Sequence, residues 1–223
     1  MVFYFATPSG PGAVAAMIRG DIGQMVTPEQ HNVIPPGVAW CHDNGCGPDA
    51  DGNPGTKYPG DEKYLARLVR HAWAKDDCWF ATAPDVLGDA AATIDRALPM
   101  LGKIRDLGYR AAFVGQDGLE ELAVPWPAFD VFFIGGTTGW KLGPAAARLA
   151  AQARALGKPV HMGRVSSLKR IRYAAHIGCA SADGTFLRFG ADIRLPELLG
   201  WGRDLRERRP LFAYDDMQPE GSR

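Results

Sequence analysis

Three aspartates in this sequence each stand at the end of a short apolar run. They are Asp43 in His42-Asp43-Asn44-Gly45, Asp85 in Ala83-Pro84-Asp85, and Asp183 in Ala182-Asp183-Gly184-Thr185. Three further runs end on Gly115-Gln116-Asp117-Gly118, Gly135-Gly136-Thr137-Thr138 and His161-Met162-Gly163-Arg164. One Asp-Gly after a strand is ordinary turn chemistry; its recurrence across the chain asks for another explanation. If these ends meet, two close carboxylates can divide labour between an ionised nucleophile and a proton donor, provided their surroundings separate their pKa values. Carboxylates beside the Gln116 amide match the donor and acceptor edge of a purine. The bare backbone of Gly135 and Gly136 permits close approach to a flat ligand. A metal shell of hard oxygens needs more ligands than can be placed here. Cys41 and Cys46 flank Asp43 without the two further ligands of a tetrahedral site. No metal site is predicted.

The elements that would carry these groups alternate regularly. Short β-rich runs at Val2–Ala6, Gly23–Val26, Val38–His42, Cys78–Thr82, Ala111–Gly115, Val131–Ile134, Val160–Gly163 and Cys179–Asp183 are separated by stretches of helical period. Eight parallel βα units close a barrel, and in a barrel every strand's C-terminal end opens on one face. The predicted fold is therefore α/β, a single (β/α)8 TIM-like barrel over residues 1–215, with a frayed tail at 216–223. A helix from Asp61 should bury Leu65, Leu68 and Val69. One from Asp89 to Leu107 stops at Gly108, one from Pro144 stops at Gly157, and Ser166-Ser167 supplies the N-cap of another. The proline-rich stretch from Pro28 to Gly37 is too short for a helix. The Gly- and Asp-rich stretch from Gly45 to Gly60 reads as a long functional loop at the open face.

Composition narrows the setting. The 223 residues carry 25 basic and 25 acidic side chains, so bulk charge supplies no attraction to nucleic acid and any such binding needs a local patch. Hydrophobic residues are 46%, which excludes a disordered chain. No apolar run reaches the ~18 residues of a membrane span, so no membrane partner is expected. The start lacks a basic n-region and an apolar h-region. Four cysteines do not make a disulfide framework. The expected compartment is a soluble, reducing cytoplasm.

In these motifs the chain resembles the tRNA-guanine transglycosylase superfamily, and most closely its short branch that inserts 7-deazaguanine into phage and bacterial DNA. The resemblance runs strongest from Asp43 to Thr185. It implies that Asp183 is the nucleophile and Asp43 the proton-transfer group. It further implies that Asp85 and Gln116 hold the guanine edge, that the amides of Gly135 and Gly136 face the base carbonyl, and that Met162 packs on the base. His161, beside Met162, joins the base-binding set, with a wall position as its bland alternative. The tRNA enzymes continue into a zinc subdomain with Cys-x-Cys-x-x-Cys and a later His, which this sequence lacks. The zinc site is predicted absent and the polymer shifts toward DNA.

The resemblance implies base exchange by double displacement, with a free 7-deazaguanine as co-substrate, no resident cofactor, and an accessory protein as a further partner. Arg164, Lys169, Arg170 and Arg172, with Ser166 and Ser167 at a helix N-terminus, are the predicted contacts to the nucleic-acid backbone. Arg203, Arg206, Arg208 and Arg209 form a second basic group that equally suits a solvated helix face. Trp126 is assigned to packing and Asp117 to its own turn. The competing functions are tRNA-directed exchange, a hydrolytic base glycosylase using the same carboxylates, and a non-catalytic nucleotide-binding barrel. An aldolase-like barrel is disfavoured because no lysine stands at a strand end.

Overall fold

The computed structural model describes residues 2–28, 32–46, 58–188 and 190–207. The tail at 216–223, Arg208, Arg209, the side chain of Arg206 and most of the loop between Gly45 and Gly60 lie outside them. Eight parallel strands close a barrel in sequence order: β1 Phe3–Ala6, β2 Gly23–Val26, β3 Trp40–His42, β4 Cys78–Thr82, β5 Ala111–Gly115, β6 Val131–Ile134, β7 Val160–Met162 and β8 Ser181–Asp183. Closure comes from β1 pairing with β8, where Phe5 sits opposite Asp183. The predicted barrel is the observed one.

The helices are α1 Pro11–Ile18, α2 Asp61–Arg70, α3 Ala90–Asp106, the short α4 Thr138–Lys141, α5 Pro144–Ala155, α6 Leu168–His176 and α7 Ala191–Glu207. Their ends follow local chemistry. Asp89 caps α3 by accepting from the Ala92 amide at 2.9 Å, and Ser167 caps α6 by accepting from the Arg170 amide at 3.3 Å. Proline occupies the first turn of α1 and of α5. Helix α2 places Asp61 and Glu62 in its first turn and Arg67 and Arg70 in its last, complementing its dipole. Its buried residues are Tyr64 and Leu68, while Val69 is 57% exposed. The expected buried stripe is thus turned by part of a helical step, because Tyr64 and Leu68 lie four apart on one face and Val69 falls beside it.

Side chains alternate along each strand between two apolar layers. Phe5, Met25, Cys41, Phe80, Ala112, Val114, Val131 and Phe133 fill the barrel interior. Tyr4, Ala6, Val26, Trp40, Phe113, Phe132, Ile134, Val160, Met162 and Ala182 point outward against the helices. The aromatic rings of Phe5, Phe80 and Phe133 plug the interior below the C-terminal rim, so whatever the barrel binds must sit above them.

Candidate active site

Above this floor lies a cavity of about 250 Å³ lined by Asp43, Asn44, Asp85, Gln116, Asp183 and the backbone of Gly135 and Gly163, among others. Met25, Val114 and Phe133 form its base, and Thr7, Thr27 and Thr185 stand in its wall. The three aspartates singled out in the sequence share this one cavity.

The two halves of the rim are built differently. On the β3–β5 side, the Asn44 side-chain amide donates to Asp85 Oδ1 at 2.7 Å and to the Ala83 carbonyl at 2.7 Å. The Gln116 amide donates to Asp85 Oδ2 at 2.5 Å, and its oxygen accepts from the Gly88 amide at 3.0 Å. Asp85 is therefore clamped between two amides. Burial pushes its carboxyl up, opposed by those two hydrogen bonds and by Arg96 and Arg164. Asp43 continues the inward parity of Cys41. Its peptide N–H pairs with Val26, and His42 Nδ1 donates to its carbonyl at 2.8 Å. Burial, then the charges of Asp183 and Asp85, push the Asp43 carboxyl up to about 7.

On the β7–β8 side, Asp183 Oδ1 lies 3.0 Å from His161 Nε2, and His161 Nδ1 lies 2.8 Å from Ser181 Oγ. Cations lie behind this side. Lys141 is buried, donates from Nζ to the Gly163 carbonyl at 2.8 Å, and is brought down to about 7 by burial and by Arg164, with Asp183 opposing. Arg164, at φ 59°, donates to the Gly135 carbonyl at 3.0 Å and to that of Gly136.

Several expectations need correction. Met162 faces the helices rather than the cavity, and the backbone of Gly163 lines the wall instead. A side chain at Gly163 would have its Cβ 2.6 Å from the Phe133 ring, so the aromatic floor occupies the space expected of a methionine. The Gly135 amide is spent on the Gly115 carbonyl at 3.0 Å, within the barrel ladder, and is not free for a base carbonyl. Gly136 is outside the lining, against the ring of Trp140. His161 is fully buried beneath Asp183 and does not line the cavity. Among the expected backbone contacts, Arg172 turns away to form a two-pronged pair with Asp204 at 2.9 and 3.0 Å. The Ser166 hydroxyl accepts from the Thr185 amide, and that of Ser167 caps its own helix. Arg170 donates to the Arg164 carbonyl at 3.3 Å, and Lys169 is exposed. Trp126 packs on Phe129 and Phe132, and Asp117 accepts from both the amide and the hydroxyl of Thr137.

Three site residues were missed. Asn44 sits inside the Asp43 motif, and its burial at a strand end is what makes it a clamp. Thr82 lines the cavity at 1% exposure, and its hydroxyl has no hydrogen-bond partner among the described residues. Lys141 follows β6 by a turn of helix, so a search confined to strand ends passes over it. Among the described residues no group of three or more His, Cys, Asp or Glu side chains is placed to hold a metal ion, and all four cysteines are free.

No protein-family model and no curated protein matches the sequence. Solved structures with some likeness include the PaMucR phosphodiesterase in its c-di-GMP complex, at 14% identity and TM-score 0.38 over 57% of this chain and 59% of that one. Klebsiella pneumoniae BlrP1 matches at 12% identity and TM-score 0.41 over 78% of this chain and 40% of that one. A GH113 β-1,4-mannanase matches at 11% identity and TM-score 0.39 over 78% and 65%. This chain thus spans about two thirds or less of the length of each. Likeness at this level carries neither substrate nor chemistry to this protein.

Proposed function

We propose that this barrel is a pentosyltransferase that exchanges guanine in DNA for a free 7-deazaguanine base by double displacement. The observation that carries the reading is the convergence of Asp43, Asp85 and Asp183 on one small cavity, with their surroundings differentiated. A volume of about 250 Å³ suits one flat heterocycle better than a run of sugars, falling just below the ~300–1,000 Å³ usual for ligand pockets.

In the first half-reaction an Asp183 oxygen attacks the anomeric carbon, and the bond from that carbon to the purine breaks. The electron pair leaves with guanine, which takes a proton from Asp43. A carboxyl raised to about 7 still holds that proton in a near-neutral cell. In the second half-reaction the 7-deazaguanine gives its ring proton to Asp43 and attacks the same carbon. The ester bond to Asp183 then breaks. Two inversions retain configuration, as in a retaining glycosidase. Asp85, held by Asn44 and Gln116, accepts from the ring N–H and exocyclic amine. The unpartnered Thr82 hydroxyl and the second N–H of Gln116 serve the remaining acceptors, in place of the glycine amides. A base lacking these groups leaves buried polar atoms unpaired and is rejected. The target base must be unpaired or flipped, at roughly a few kcal/mol, with Arg164, Lys169 and Arg170 offering phosphate contacts near the mouth.

The test is intact-mass analysis of the protein quenched with a guanine-containing oligodeoxynucleotide and, in parallel, its RNA counterpart. A DNA adduct mapped to Asp183, together with incorporation of labelled guanine, supports the reading. An abasic product without incorporation replaces transfer by hydrolysis. An adduct with RNA alone moves the substrate to RNA.

A further inference from the structure

We infer that His161 and Ser181 form a positioning relay that holds Asp183 in its attacking rotamer, an assignment that rests on the double-displacement reading above. Register builds the relay. On β7 and β8 His161 lies opposite Ser181, and Ser181 and Asp183, two residues apart, face the same side. The His161 ring therefore reaches both residues of its neighbour strand, with Nδ1 2.8 Å from Ser181 Oγ and Nε2 3.0 Å from Asp183 Oδ1. The rings of Phe5, Phe80 and Phe133 surround it at centroid distances of 6.2, 4.9 and 4.5 Å. Packed this way, the imidazole has little room to rotate.

The chemistry follows from donors and acceptors. A carboxylate only accepts, so Nε2 carries a proton directed at Oδ1. Which ring nitrogen is protonated is set by the partner of the other. In the neutral ring Nδ1 is then an acceptor, and the Ser181 hydroxyl supplies the donor. With Oδ1 tethered, Oδ2 is the oxygen left to approach the anomeric carbon, and rotation of the carboxylate is suppressed. A nucleophile oriented by a second group, itself oriented by a third, is a recurrent arrangement in covalent catalysis. The relay also explains why a polar ring sits in an otherwise apolar barrel floor. His161 is a positioning residue and makes no contact with the bound base.

The experiment compares His161→Leu, His161→Gln, Ser181→Ala and Asp183→Ala in exchange of labelled guanine into a single-stranded guanine-containing oligodeoxynucleotide. Loss of orientation alone can cost about 100-fold, so His161→Leu should lower kcat by about that factor with KM within about twofold. His161→Gln, whose amide N–H can replace Nε2–H, should recover most of the loss, and Ser181→Ala should fall between Gln and wild type. An inactive Asp183→Ala with unchanged kcat in His161→Leu overturns the relay and leaves the proposed function intact. An active Asp183→Ala overturns the proposed function itself. Imidazole 15N NMR of the wild-type protein tests the relay whatever the activity and whether or not His161→Leu folds. A protonated Nε2 whose shift moves in Asp183→Ala supports it, and an unprotonated Nε2 overturns it.

Discussion

The two halves of the cavity rim hold their carboxylates by opposite means. Across β3 to β5, Asp85 is buried and clamped by two neutral side-chain amides, while the half-buried Asp43 is pushed up to about 7 by desolvation and by the charges of Asp183 and Asp85. Across β7 and β8, Asp183 is held by an imidazole N–H, with Lys141 and Arg164 behind it and one fifth of its side chain exposed. Like charges and burial favour a proton donor at Asp43, whereas the imidazole N–H fixes the orientation of Asp183. In the proposed reaction, one residue type placed in two environments on one ring of strands takes two chemical roles. Asp183 also opposes part of the downward shift that burial and Arg164 impose on Lys141.

Breaking the nucleophile's side should have the largest effect. Asp183→Ala is expected to lower exchange by about 10⁴-fold or more, measured by incorporation of labelled guanine, and to abolish the covalent adduct. Removing the donor on the other side comes next. Asp43→Asn should slow single-turnover release of guanine by about 10²–10³-fold, within the usual range for general acid catalysis. Wild-type release should fall as pH rises through about 7, and the variant should lose that dependence. Wild-type stability falls over the same rise in pH, and there the variant gains. Because the folded-state pKa of Asp43 is raised from 3.8 to about 7, its contribution is intact below pH 4 and is lost as pH climbs through 7. Asp43→Asn should therefore gain on the order of 4 kcal/mol relative to wild type between pH 4 and pH 9, read by denaturant melts.

Asp85→Asn sharpens the division between chemistry and recognition. It replaces an acceptor with a group that also donates, so KM for the incoming base should rise by about 100-fold, with kcat less affected. Lys141→Met tests the cationic side. A lysine lowered from 10.5 to about 7 costs the folded state most when it is charged, so the variant's thermal stability relative to wild type should improve as pH falls from 10 to 6. The smallest effect is expected from Arg172→Ala. Its guanidinium is committed to Asp204, so oligonucleotide affinity measured by fluorescence anisotropy should stay within about twofold, whereas a phosphate contact would be worth a salt-dependent loss.

The barrel was legible because eight β-rich runs alternate with helical stretches, and strand ends in such a fold converge by geometry alone. Asp43, Asp85, Gln116 and Asp183 were found by that rule, since each stands at the C-terminal end of its strand or within three residues of it and lines the cavity. Lys141 escaped it by standing a turn beyond β6, and Asn44 and Thr82 by being unremarkable in type until their burial is known. The errors at Met162 and His161 share one cause. In a barrel wrapped by helices both faces of a strand are apolar, so hydropathy shows no alternation that would tell the inward residue from the outward one. His161 and Met162 were interchangeable by composition, and only closure of the ring turned the histidine in toward Asp183 and the methionine out.

Residue order by itself determined the elements, their parallel sense and which carboxylates reach the open rim, because period, capping and strand-end position are local properties of the chain. Tertiary structure alone decided which parity faces the interior, which amides are already spent in the strand ladder, and which carboxyl groups burial pushes up. Those outcomes depend on shear, register and the charges of residues distant in sequence, and no single segment contains them.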